Sequence, residues 1–252
     1  MGTARPPRGR TPSGAIDAIQ TTWPTASAET HARLAGAASI IEQTHGTIMD
    51  EAERPSRVGL VLQGTFAATW GAPDGRLAYV GLYGPVQLVG LATLSGGPNV
   101  VGIDALTAVT MLAWPTAEFR DIVRSDPALA LDLLDRAIYG LHGLTRLHKL
   151  RTFTTAASRL AGLLLGYERF FFSRDAPLVG RRHIAALAGV TPEMARRILH
   201  RWEDAEILRR VGQTGLELLD RRALEAEAAP LADFPPPDIA IPGAWSVAGS
   251  EA

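Results

Sequence analysis

Apolar positions change their spacing several times along the chain. Between Ala15 and Gln43 they fall at Ile16, Ile19, Leu34, Ile40 and Ile41 and predict short helices. From Arg57 to Trp114 short β-branched and apolar runs punctuated by glycine take over: VGLVLQG, TFAATW, LAYVGLYG and VVGIDALTAVTMLAW, with Ala72-Pro73-Asp74-Gly75 as a turn. Strands at this spacing predict a small barrel or jelly-roll. Pro115 to Val123 predicts a short helix, and Asp126-Pro127 opens a long one that runs to about Arg151, roughly 37 Å. Its stripe of Leu131, Leu134, Ile138, Leu141, Leu144 and Leu147 is close to heptad spacing, and Gly140 and Gly143 allow close approach of another helix. This reads as a self-pairing helix, with Leu134, Ile138, Leu141, Leu144, Thr145 and His148 at the seam. Thr154 to Phe172 predicts a further helix ending in an aromatic run, and Asp220 to Ala228 a short closing one.

The stretch RRHIAALAGVTPEMARRILH, Arg181 to His200, places its residues as a helix-turn-helix needs them. Ile184, Ala185 and Ala188 face inward on a first helix, Gly189 supplies a left-handed turn, and Ala195 and Ile198 pack a second helix against the first. Thr191 is an N-cap, Pro192 suits the first helical position where no N–H is needed, and Glu193 favours the positive end of the helix dipole. Glu193, Arg196 and Arg197 therefore stand on the first turns of a recognition helix. There an arginine can grip guanine O6 and N7, and a glutamate can accept from cytosine N4.

Ile207 to Val211, the turn Gly212-Gln213-Thr214-Gly215 and Leu216 to Leu219 follow as a β-hairpin, the position of a wing. Arg209 and Arg210 on this wing, together with Arg181, Thr191 and Arg201, are the expected phosphate contacts, which add affinity without sequence information.

Composition sharpens this reading. The net charge of -1 is unevenly spread: Arg174 to Arg210 holds eight arginines against five acids, whereas Leu77 to Phe119 holds no Lys or Arg. The absence of cysteine excludes disulfides, thiolate zinc sites and cysteine-ligated iron–sulfur clusters, and no metal-ligand spacing is present. There is no apolar run of membrane-spanning length and no signal peptide, so a cytoplasmic protein without a membrane partner is expected. No nucleophile–base pair, Walker loop or dinucleotide fingerprint is found, and no enzyme is expected. The division expected is a disordered basic arm (1–14), a β-roll sensor (15–125), a dimerisation helix (126–152), a winged helix-turn-helix (153–229) and a Pro-rich acidic tail (230–252).

In this order the elements resemble the bacterial cyclic-AMP receptor protein / fumarate-nitrate regulator (CRP/FNR) family of transcription factors over about residues 30 to 228. The residues that carry the resemblance are GVTPEMARRILHRWEDAEIL (Gly189 to Leu208), GLYGP (Gly81 to Pro85) and Ser158-Arg159-Leu160-Ala161. It implies an α+β fold: an N-terminal cyclic-nucleotide-binding-like β-roll, a long dimerisation helix and a C-terminal winged helix-turn-helix. It also implies a homodimer on near-palindromic double-stranded promoter DNA with RNA polymerase as partner, and Glu193 and Arg197 as base readers with Arg196 between them. Pro192 departs from the arginine that some branches of the family carry there.

The larger departure is in the sensor, where the family's cassette holds a glutamate for the ribose and an Arg-Ser pair for the cyclic phosphate. GPVQLVGLATLSGGPNVV (Gly84 to Val101) has neither glutamate nor arginine. A buried phosphate would lack its charge-assisted bonds, so control by a cyclic nucleotide in the usual mode is not expected. An effector pocket, if used for another small molecule, is expected at Leu88, Val89, Gly96, Gly97, Asn99, Val100, Leu144 and Thr145. No cofactor is expected; haem is the alternative, with His142, His148, His31 or His45 as the axial ligand.

Overall fold

The computed structural model describes residues 14–44, 46–49, 57–71, 77–96, 101–172, 181–212 and 215–228. The basic arm before residue 14, the Ala72 to Gly75 turn, Gln213-Thr214 and the tail from residue 230 lie outside the described residues.

Two helices open the chain, α1 (Ala15–Thr22) and α2 (Ala28–Ala37), the second capped by Ser27, whose hydroxyl accepts from the Thr30 amide. Eight strands follow: β1 (Ser39–Gln43), β2 (Gly46–Met49), β3 (Arg57–Gln63), β4 (Phe66–Gly71), β5 (Leu77–Tyr83), β6 (Leu88–Val89), β7 (Gly102–Ala105) and β8 (Val109–Pro115). They form two antiparallel four-stranded sheets, in the orders β1-β8-β3-β6 and β2-β7-β4-β5. Ile40 and Ile41 are corrected from helix to strand. They pair with Leu112 and Met111, and their alternation puts Ile40 outside and Ile41 against the inner cluster. The run after Val100 is likewise two strands in different sheets. It is broken where the Leu106 amide donates to Thr65 O and the Thr107 hydroxyl accepts from the Thr65 amide.

The inner faces of the two sheets close on Val61, Phe66, Val89, Ile103, Ala105, Val109 and Met111, all buried. Gly59 belongs to this inner set, and a Cβ there would lie 2.9 Å from both Met111 Sδ and Val89 Cγ2. The roll is thus filled by its own side chains. Gly64, at φ +91°, is required for a different reason: a Cβ would come 2.2 Å from the Ala108 carbonyl oxygen.

Both outer faces are covered as well. Val58, Leu60, Leu112 and Trp114 pack against Ile19, Trp23 and Leu34 of the opening segment and against Phe119 and Ile122 of α3 (Thr116–Ser125). Burial on both faces is why β3 reads as the almost unbroken apolar run VGLVL. On the other sheet, Ala67, Tyr79 and Leu82 join a cluster formed by the C-terminal part of the chain.

The long helix α4 (Pro127–Phe153) leads there, a 27-residue span of about 40 Å. Thr154 to Phe172, expected as one helix, is two: α5 (Ala156–Gly166), capped by the Thr155 hydroxyl accepting from the Ser158 amide, and α6 (Glu168–Phe171), with Tyr167 between them. After α7 (Arg181–Ala188) and α8 (Pro192–Asp204), the hairpin β9 (Leu208–Val211) and β10 (Gly215–Leu218) pairs antiparallel, and α9 (Arg221–Ala228) closes against α5.

Candidate nucleic-acid interface

α7 and α8 meet through small residues. Ile184, Ala185 and Ala188 are buried on one side of the turn and Ala195, Ile198, Leu199 and Trp202 on the other. Alanine at 185 and 195 leaves room for the two backbones to approach. Gly189 stands at φ +64°, in the left-handed region, and the Val190 amide donates back to Ala185 O, ending α7. The Thr191 hydroxyl accepts from the Met194 amide at 3.2 Å, and Pro192 holds the first helical position.

With one face of α8 buried, helical rotation turns Glu193, Arg196, Arg197, His200, Arg201 and Asp204 outward, and all six are exposed. The arginines fall into two groups. Among the described residues, the side chains of Glu193, Arg196 and Arg197 have no hydrogen-bond or ion-pair partner. Arg201 donates to both carboxylate oxygens of Glu227 on α9, at 2.7 and 2.8 Å. Arg209 donates to Glu217 across the hairpin at 2.6 Å, and Arg210 Nε to Glu203 of α8 at 2.6 Å. The expected base readers are therefore open, whereas three of the expected phosphate contacts already have internal carboxylate partners. These pairs are exposed or partly exposed, where exchange for a phosphate oxygen costs little. Thr191 is exposed but has its hydroxyl engaged as a cap; Arg181 opens α7, and its side chain lies outside the described set.

Sequence reasoning missed His200 and Glu203. The signal was available in the rotation of α8: His200 lies angularly between Arg196 and Arg197, one turn farther along, closer to the centre of the exposed face than Arg201.

The expected seam of α4 is exposed in the single chain. Leu134 is 53% exposed, Leu141 61% and Leu144 51%, and Ile138, Thr145 and His148 are exposed as well. The expected effector residues do not converge in the same way. Leu88 and Val89 are successive residues of β6, so their side chains take opposite faces: Val89 fills the roll and Leu88 packs against the outer helical layer. Gly96 ends a short 3-10 turn, Leu91–Ser95, at φ +82°. Gly97, Asn99 and Val100 lie outside the described residues, and Leu144 and Thr145 are exposed on α4. Of the histidines, His31 is buried with Nε2 2.8 Å from Trp23 O, His142 and His148 are exposed, and His45 lies outside the described residues. Among the described residues no cluster of His, Asp and Glu is placed to hold a metal ion, and no helix is long and apolar enough to cross a membrane.

Besides the cluster that Ala67, Tyr79 and Leu82 share with it, the reader is braced by Arg159 and His183. Arg159 donates to Thr154 O at 2.8 Å and to Ala188 O at 3.2 Å, which ties the start of α5 to the last turn of α7. His183 of α7 packs on Tyr79 of β5 with ring centroids 5.5 Å apart.

Residues 158–227 match the family described as the Crp-like helix-turn-helix domain. No curated protein sequence matches the chain. Among solved structures, FixK2 from Bradyrhizobium japonicum is 22% identical over 75% of this chain and 96% of its own, with a TM-score of 0.69. TTHA1359, a CRP/FNR family transcriptional regulator from Thermus thermophilus, is 21% identical over 76% of this chain and 98% of its own, at 0.62. The c-di-GMP responsive global regulator CLP of Xanthomonas campestris is 20% identical over 77% of this chain and 100% of its own, at 0.61. At these identities the likeness establishes the fold: a β-roll followed by a helix-turn-helix part.

Proposed function

We propose that this chain, with a Crp-like helix-turn-helix domain at residues 158–227 on the CRP/FNR fold, is a transcription regulator that binds near-palindromic promoter DNA as a homodimer in the cytoplasm. The observation that carries this reading is the exposed face of α8, where Glu193, Arg196 and Arg197 stand on a capped helix without hydrogen-bond or ion-pair partners among the described residues. Buried-core residues hold that helix rigidly, so its charges are presented to base edges with little loss of freedom on binding. The solvent-facing stripe of α4 pairs two copies and sets two α8 helices about one helical turn of DNA apart. Arg201, Arg209 and Arg210 exchange their carboxylates for phosphates. RNA polymerase is the partner through which such a dimer acts on transcription.

The roll is a degenerate cyclic-nucleotide site. Two features support this: an interior filled by Val61, Phe66, Val89 and Met111, and a cassette segment from Gly84 to Val101 without a cation. The regulator works without an effector or responds to a different small molecule.

Selection of bound duplexes from a random pool, with and without cyclic AMP, tests both parts. The same palindrome is expected in both arms; a palindrome recovered only with cyclic AMP would refute the degenerate site. Arg197→Ala is expected to weaken the selected duplex by about 1–3 kcal/mol and relax one base position. Equal losses on selected and random DNA would remove Arg197 from the base readers.

A further inference from the structure

His200 lies on the face that α8 exposes, angularly between Arg196 and Arg197 and one turn farther along, and it has no role in the reading above. We propose that His200 is a further DNA contact, binding a backbone phosphate only when its imidazole is doubly protonated, so that proton concentration sets the affinity of the reader. The inference rests on the DNA-binding reading of α8.

The ring of His200 stands against a carboxylate. His200 Nδ1 lies 3.3 Å from Glu203 Oε2. A carboxylate oxygen only accepts, so the tautomer that suits this contact carries its proton on Nδ1, which leaves Nε2 of the neutral ring as a lone pair. A lone pair facing a phosphate oxygen is repulsive. The second proton turns Nε2 into a donor and the ring into a cation, which makes a charge-assisted bond to the same oxygen. Glu203 is itself held in place, because Arg210 Nε of the wing donates to its other oxygen, Oε1, at 2.6 Å. Recognition helix and wing thus share one carboxylate, and that carboxylate favours the Nδ1–H tautomer of His200.

The charged groups around the ring point the same way. Arg196 and Arg197 stand one turn before it on the same face, Asp204 one turn after it, and Arg210 reaches it only through Glu203. Arg201 beside it is turned toward Glu227 of α9. Once Arg196 and Arg197 have drawn the duplex to α8, the phosphates supply the negative charge that favours the doubly protonated ring. The bound state takes up protons, and affinity rises as pH falls.

The test compares the full-length wild type with His200→Gln and His200→Lys on the selected palindrome and on a random duplex of equal length, at about pH 6 and about pH 8. The wild type is expected to bind both duplexes on the order of tenfold more tightly at the lower pH. Its salt slope should steepen there by about 0.9 per protomer. His200→Gln is expected to be insensitive to pH at the weaker level and His200→Lys insensitive at the tighter level, with thermal unfolding unchanged because the side chain is exposed. A wild type whose affinity does not vary with pH, or a His200→Gln variant that keeps the variation, overturns the proposal. A pH effect confined to the palindrome overturns the assignment to phosphate. No binding of any duplex at either pH sinks the DNA-binding reading along with it.

Discussion

Two rows of apolar residues on α4 belong to one continuous helix yet meet opposite surroundings. At its start, Leu129 and Leu133 are buried in the layer of Trp23, Trp114 and Phe119. Asp126 Oδ1 caps the helix, accepting from the Ala128 and Leu129 amides at 3.0 and 3.1 Å, while Oδ2 accepts from the Ser27 amide at 3.0 Å. Arg136 donates to Asp132 and to Thr22 O at 2.8 Å, holding α1 down on the same segment. A second apolar row, Leu131, Leu134, Ile138, Leu141 and Leu144, starts on another face of these same turns and runs on beyond them, and the described residues of the chain leave it exposed. One helix thus carries two rows: Leu129 and Leu133 fold the protomer, and the row from Leu131 to Leu144 is the one we propose for association. A contiguous apolar row of this length is costly to leave in water, which is the ground for proposing it as the dimer seam.

Breaking the second row should have the largest effect on function and almost none on folding. With Ile138→Glu and Leu141→Glu together, self-association is expected to be lost in sedimentation while the unfolding transition of the protomer stays where it was. Affinity for the palindrome should fall on the order of a hundredfold or more, because the two readers no longer bind as a linked pair. A doubly substituted chain that still sediments as a dimer would place the seam elsewhere.

The joint of the first row is broken by Asp126→Ala, which should do the reverse and lower stability by about 2 kcal/mol in urea titration without changing the association constant. Hydrogen bonds from the Thr30 hydroxyl and the Ser27 amide, ahead of those from the Leu129 amide and the Ser27 hydroxyl, hold the Asp126 carboxyl well below the usual carboxylate range. A carboxyl lowered in the folded state contributes its stability above the unfolded value of about 3.9 and loses it as pH falls toward the folded one. The gap between wild type and Asp126→Ala is therefore expected to narrow below about pH 4. A gap that stayed constant under acid would mean the carboxylate charge is not what stabilises this joint.

How far such features were legible in the sequence depended on whether they were local. The Thr191 cap, Gly189 and the small residues Ala185 and Ala195 act within a few residues of one another, and their spacing alone located α7, the turn and α8. The strand at Ile40 and Ile41 was not legible, because its partner is β8, some seventy residues away, and two adjacent isoleucines suit helix and strand alike. The break at Tyr167 was hidden for a similar reason, since a helical pattern continues through it. In the site, the charges of α8 could be placed by rotation from the sequence, but their partners could not. Glu227 and Glu217 reach Arg201 and Arg209 from other elements, and only that pairing separates open arginines from engaged ones. Adjacency in sequence also hides the direction of a side chain. Leu88 and Val89 are adjacent in sequence, but a strand sends them to opposite faces.

The smallest effect concerns the place where α4 hands its geometry to the reader. Arg159 reaches Thr154 O and Ala188 O, and at 3.5 Å Arg151 O, so one guanidinium spans the end of α4, the start of α5 and the end of α7. The side chain of Arg151 lies against the same turn, its Nε 3.2 Å from where a Cβ on Gly189 would sit. If the separation of two α8 helices is set by α4, this staple transmits it. Arg159→Ala is expected to cost on the order of 1 kcal/mol in stability. It should lower affinity for the palindrome several-fold and leave binding to random duplex unchanged, because phosphate contacts survive a loosened orientation while base contacts do not. Arg159→Lys should fail to restore the palindrome, since a single ammonium cannot span carbonyls on three segments as a planar fork does. Full rescue by lysine would mean that charge near Ala188, rather than the fork, holds the reader in register.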